Sequence, residues 1–101
     1  MEITISKSDK KDKKFKAIVK DNDSKKTIHF GQFGASDMTK HGDEKRKERY
    51  IARHQKNENW TKSGIHTAGF YSKHLLWNET SFDKSFKDLK KKFPSITFTY
   101  K

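Results

Sequence analysis

Cysteine is absent, which excludes a disulfide scaffold and every cysteine-ligated zinc site. The absence is compatible with an intracellular setting. Long apolar runs are also missing. None approaches the roughly 18 residues of a membrane-spanning helix, and the opening MEITISKSDKKDKK carries no apolar signal core. The expectation is a soluble protein that is not exported and does not span a membrane. Arginine is scarce, at three of the 24 basic residues. Lysine supplies phosphate attraction as a mobile point charge, whereas arginine supplies the planar fork that reads bases or clamps phosphates. Such a balance favours charge-driven binding over sequence reading. Proline occurs once, at Pro94, and all five glycines lie between Gly31 and Gly69, with no linker or internal repeat.

What the chain does have is charge and aromatic rings. The formal net charge is +11 and the pI about 9.9 over 101 residues. A small domain this basic is drawn to polyanions: nucleic acid, anionic membrane surfaces or acidic protein patches. Charged residues make up 37% and hydrophobic ones 30%, a balance near the disordered border. The 13% aromatic share, with eight phenylalanines, pulls the chain back towards one small folded domain with an aromatic core.

Alternation of Ile3 and Ile5 with polar neighbours predicts a strand over about 2–7, and Phe15, Ala17 and Val19 predict a second over about 14–20. The lysine run between them reads as a solvated hairpin loop or as a flexible finger on phosphates. Ile28 and Phe30 mark a third strand over 27–30. Gly31-Gln32-Phe33-Gly34 then makes a turn. It could cradle an anion only with a helix starting at Ser36-Asp37, and it lacks a full phosphate-loop pattern. Asp43-Glu44 opens a helix to about Gln55, with acids in its first turn and Arg53 and His54 near its end, as the macrodipole favours. Thr67 is the N-cap of an apolar helix running to about Trp77, in which Gly69 predicts close packing against another backbone. Thr80 or Ser81 caps the last helix, to about Lys92, whose stripe of Phe82, Phe86, Leu89 and Phe93 is core. Pro94 ends it, and Ile96, Phe98 and Tyr100 form a final strand. Strands first, helices next and a strand last predict an α+β domain: an antiparallel sheet of three N-terminal strands plus the C-terminal one, with about three helices on one face.

No catalytic signature is present. The five histidines show no HxH, HxxxH or HExxH spacing, and no metal or cofactor is expected. His54 with Tyr50 and Arg53 could form a general-acid cluster for phosphodiester chemistry, with Asp37 or Asp43 as base or Mg²⁺ ligand. The binding reading is better supplied. Lys45, Arg46, Arg49, Arg53, Lys56 and Lys62 can neutralise phosphates, and Trp60 can stack on bases. Lys10–Lys14 would add long-range attraction. An apolar surface at Phe70, Tyr71 and Trp77 would instead mark a protein partner.

The middle of the chain resembles a known group. The glycine turn Gly31–Gly34, Ser36-Asp37, Thr39, Asp43, Arg49-Tyr50, Arg53-His54, Trp60, Ser63-Gly64, Thr67-Ala68-Gly69-Phe70 and Leu75-Leu76-Trp77-Asn78 are similar to small uncharacterised proteins of large double-stranded DNA viruses of algae and protists. Tyr71 and His74 depart from the tryptophan- or arginine-like residues expected there. The resemblance implies a viral setting inside an infected host cell, in cytoplasm, nucleus or virion. It carries no activity. Three expectations follow: a non-enzymatic nucleic-acid-binding protein, with DNA ahead of RNA; a minor capsid or virion structural protein binding acidic partners; and a small phosphodiester-cleaving enzyme, which would need a concave site joining His54, Tyr50 and an acid.

Overall fold

A computed structural model describes residues 1–101. Three strands open the chain: β1 (Glu2–Lys7), β2 (Lys13–Asp21) and β3 (Ser24–Gln32). They form an antiparallel meander whose register sets Ile5 opposite Ala17 and Ala17 opposite Ile28. Strand alternation therefore places Ile3, Ile5, Ala17, Val19, Ile28 and Phe30 on one face, and all six are buried. β3 is longer than its apolar pattern predicts, because the polar stretch Ser24–Lys26 pairs with Val19–Asp21 across a tight turn. Asn22 holds that turn with a φ of 55°, a conformation asparagine tolerates better than most residues.

The helical half follows. A short helix, α1 (Met38–His41), is capped by Asp37, and α2 (Glu44–His54) by Asp43. A single 3₁₀ turn, Lys62–Gly64, leads to α3 (Ala68–Tyr71), which Thr67 caps and which continues as a π-helical segment, Ser72–Leu76. The wider turn is closed by Trp77 N–H donating to Ser72 C=O at 3.0 Å. α4 (Phe82–Lys92), capped by Ser81, precedes β4 (Thr97–Tyr100).

The result is the expected α+β architecture, a four-stranded sheet in the order β3-β2-β1-β4 with its core face under the helices. β4 joins the sheet at its edge beside β1, but in parallel where an antiparallel sheet was expected, pairing Glu2 with Thr97 and Ile5 with Tyr100. The sheet is therefore mixed. The helical crossover returns the chain to the end of the sheet where β1 begins, and a strand starting there must run beside β1 in the same direction.

Leu75, Leu89, Ile96 and Phe98 complete the core. Phe70 and Tyr71, expected as a partner surface, are 0% exposed. Phe70 packs on Phe93, and the Tyr71 hydroxyl donates to the Ile65 carbonyl at 2.6 Å. The segment is apolar nearly all round because sheet and α4 bury it from opposite sides. Trp77 is half-buried against the core. No helix is long and apolar enough to cross a membrane.

Candidate nucleic-acid interface and adjoining cleft

α2 forms because Asp43 satisfies its first free amides, accepting from Lys45 N–H at 3.0 Å and Arg46 N–H at 3.3 Å. Tyr50 is its only buried residue. Helical spacing puts Lys45 and Arg49 four apart, Arg46 and Arg49 three apart and Arg49 and Arg53 four apart, so these cations share one outward stripe. Lys56 lies just past the helix end. All five are exposed, and none is in an ion pair. Lys62 lies elsewhere, its ammonium donating to Ser95 Oγ at 2.9 Å, near the start of β4. Trp60 is not a free stacking platform. It is half-buried, its indole N–H donates to Glu58 Oε1 at 2.9 Å, and the Lys73 ammonium sits 5.5 Å over its ring. Burial disfavours the charged form of Lys73, and the nearby Lys92 and Lys47 ammoniums push its pKa down further. In the lysine loop, Lys10 and Lys11 are exposed, while Lys14 is tied to Asp37 in a nearly buried ion pair.

The inward edge of α2 borders a cleft of about 360 Å³, whose walls come from the β2–β3 end, α2 and α3. A column of rings stands beside it. Trp77 stacks on Tyr50 at 4.4 Å and 5°, and Tyr50 on His54 at 4.2 Å and 28°. His54 Nδ1 lies 2.6 Å from Glu58 Oε2. A carboxylate only accepts, so Nδ1 carries the hydrogen and Nε2 is left for another partner. Glu58 is held from its other oxygen by Trp60. It lies so close to α3 that a Cβ on Gly69 would come within 2.6 Å of Oε1. The close approach expected at Gly69 is thus made by a carboxylate and not by backbone. Desolvation pushes the Tyr50 pKa well up, with the Glu58 charge adding to it and Arg53 working against it, so the phenol stays a proton donor at any physiological pH.

The concave site joining His54, Tyr50 and an acid is therefore present, but its acids differ from those expected. Asp43 is spent as a helix cap. Asp37 accepts from Thr39 N–H at 2.9 Å, from the Thr39 hydroxyl and from Lys14, which leaves it no role as a free base. Glu58 is the residue sequence reasoning missed. Its only signal is the spacing of four from His54, and that spacing straddles the end of α2. No group of three or more His, Asp or Glu side chains is arranged to hold a metal ion.

Fold and site together define a small α+β domain that carries a cationic helix face beside a polar, ring-walled cleft. Residues 3–54, just over half of the chain, match the model of a family of unknown function, DUF5754, and the chain belongs to that family. The match covers β1 to α2, including the cationic stripe, Tyr50 and His54, and stops short of Glu58. No curated protein and no solved structure matches the chain.

Proposed function

We propose that this protein binds nucleic acid through charge, with little sequence preference. The observation that carries the reading is the stripe on α2: Lys45, Arg46, Arg49, Arg53 and the adjoining Lys56 are exposed and free of ion pairs. Cations that no acid neutralises have phosphate as their natural partner, and bringing phosphates to them releases counterions. The mutual repulsion around Lys73 points the same way, since a polyanion would relieve it. Lys62 is a peripheral contributor, and Trp60, with its indole committed to Glu58, is withdrawn from base stacking. The resemblance to proteins of large DNA viruses favours DNA over RNA and a role accompanying a viral genome in an infected cell or virion. The virion-structural alternative would need a docking surface other than Phe70 and Tyr71, which are interior.

The test is binding to a fluorescent duplex and to its single strand across a salt series. The expected result is a log–log salt slope of several units. Each lost phosphate contact lowers the slope by about 0.9, so Arg49→Ala with Arg53→Ala should flatten it by about two and weaken binding of both nucleic acids. A double variant with unchanged affinity and slope sinks the assignment to α2.

A further inference from the structure

The cleft beside α2 holds a buried polar group that the fold does not use. Tyr50 is 7% exposed, yet its hydroxyl makes no hydrogen bond within the protein, although Tyr71, the other buried tyrosine, does. The only sealed side-chain polar atoms lacking a partner are His41 Nε2 and His74 Nδ1. The Tyr50 hydroxyl is therefore reached from outside, and the surface Tyr50 retains lines this cleft. A hydroxyl that the fold leaves without a protein partner and open to solvent is free to meet a ligand atom in place of water.

Other uncommitted groups lining the cleft include the Lys13 ammonium, which is in no ion pair, the Ser36 and Ser72 hydroxyls and the Gln32 amide, all able to donate, and the His54 Nε2 edge, which accepts when Nδ1 carries the hydrogen. Both carboxylates that line it are already engaged, Asp37 by the Lys14 ammonium and Thr39, Glu58 by hydrogen bonds from His54 and the Trp60 indole. Neither is bonded to the Lys13, Tyr50 or Ser72 donors. The remaining wall, with Phe30, Leu76 and Trp77, is apolar. A volume of about 360 Å³ sits at the small end of the roughly 300–1,000 Å³ range of ligand sites.

From this arrangement we infer that the cleft is a binding site for a phosphomonoester attached to a small, partly apolar group, such as a mononucleotide or the phosphorylated end of a strand. Lys13 supplies charge, Tyr50 and Ser72 donate to the phosphate oxygens, and His54, whose Nδ1 donates to Glu58, presents Nε2 as an acceptor for a hydroxyl of the ligand. The apolar wall takes the rest of the ligand. The site does not rest on the α2 stripe, because no cation of that stripe lines it.

Calorimetry on the full chain tests this with adenosine 5′-monophosphate, adenosine, and a single-stranded hexanucleotide with and without a 5′-phosphate. The monophosphate should bind and adenosine should not. Tyr50→Phe keeps the stacked ring and removes a hydroxyl that has no protein partner. It should leave the melting temperature unchanged while weakening the monophosphate about tenfold or more, the size of one hydrogen bond to a charged group. Lys13→Gln, on a different element, should do the same. Arg49→Ala with Arg53→Ala should lose duplex affinity yet keep the monophosphate, which separates failure of this site from failure of the α2 interface. A preference for the 5′-phosphorylated hexanucleotide, lost in Tyr50→Phe, identifies a strand end as the source of the phosphate. Binding of the monophosphate without that preference identifies a free nucleotide. Equal behaviour of adenosine and its monophosphate, or wild-type monophosphate affinity in both cleft variants, overturns the inference.

Discussion

Gly69 shows how one missing methyl group shapes the cleft. In a helix, alanine is favoured over glycine by about 1 kcal/mol, and Gly69 has an ordinary helical backbone, so local propensity argues for the substitution. Against it stands the Glu58 carboxylate, 2.6 Å from where the Cβ would be. That carboxylate ends a flexible side chain and can swing away, but only by giving up its hydrogen bonds from His54 and Trp60, each worth about 1.5–3 kcal/mol. Gly69→Ala should therefore lower the melting temperature despite its helix propensity, as Glu58 releases His54 and Trp60. Imidazole NMR of His54 and indole ¹⁵N shifts of Trp60 would register the release. A melting temperature unchanged or raised, with both signals shifted, would mean that the two bonds contribute little and that this account is wrong. His74 is a second case. Its Nε2 donates to the Trp60 carbonyl at 2.9 Å, and its Nδ1 is sealed without a partner. Burial pushes its pKa down to about 4, reinforced by Lys73 and Lys92 and opposed by the Trp60 hydrogen bond and Asp88. Between the ordinary histidine value and that one, the unfolded chain takes up a proton and the folded chain does not. Stability contributed by neutral His74 is thus fully present above about pH 6.5 and falls by roughly 3 kcal/mol as pH drops towards 4. Urea unfolding at both ends of this window should show a smaller pH-dependent loss in His74→Leu than in the wild type.

Helix starts are where the sequence was most readable, because a cap is a local event. Asp43, Thr67 and Ser81 each accept from an amide two or three residues on, and each is a residue type whose short polar side chain competes well for that amide. Asp43→Ala should cost about 1 kcal/mol of stability. It also removes a negative charge next to the α2 stripe, so nucleic-acid affinity at low salt should rise while the denaturation midpoint falls. A parallel fall of both would assign Asp43 to the interface itself. The elements that resisted reading depend on distant partners. Nothing in Ser72–Leu76 announces a π-turn, since the extra residue is accommodated by packing against β3 and α4. The parallel seating of β4 follows from where the crossover ends and not from the alternation of Ile96, Phe98 and Tyr100. In the cleft, the pairing of Tyr50 with His54 was visible as a spacing of four on one helix. The Glu58 and Trp77 contacts to them join separate elements and were not.

At the scale of the whole molecule, 24 basic residues face 13 acidic ones, and the ion pairs that form are few. Three of the four lysine–carboxylate pairs are partly or largely exposed, Lys16–Asp9, Lys87–Asp83 and Lys92–Asp88, and pairs of that kind contribute little in water. The free protein therefore carries a repulsive surplus that its fold does not neutralise, and self-repulsion of this sort destabilises a compact state. Added salt shortens the Debye length from about 10 Å at 0.1 M to about 3 Å at 1 M, which weakens the repulsion between exposed cations while leaving the aromatic core intact. The melting temperature of the free domain should rise across that range, and relief of about 1 kcal/mol would raise it by roughly 4–8 °C for a domain of this size. The same salt removes the counterion-release advantage of binding, so affinity for nucleic acid should fall steeply over the same range. Thermal melts with and without duplex separate the two effects. Duplex should stabilise the protein strongly at low salt, and the two melting curves should converge as salt rises. A free protein that salt leaves unchanged would mean that the +11 charge is too dispersed to act as one field. The stripe on α2 would then have to account for binding by local contacts alone.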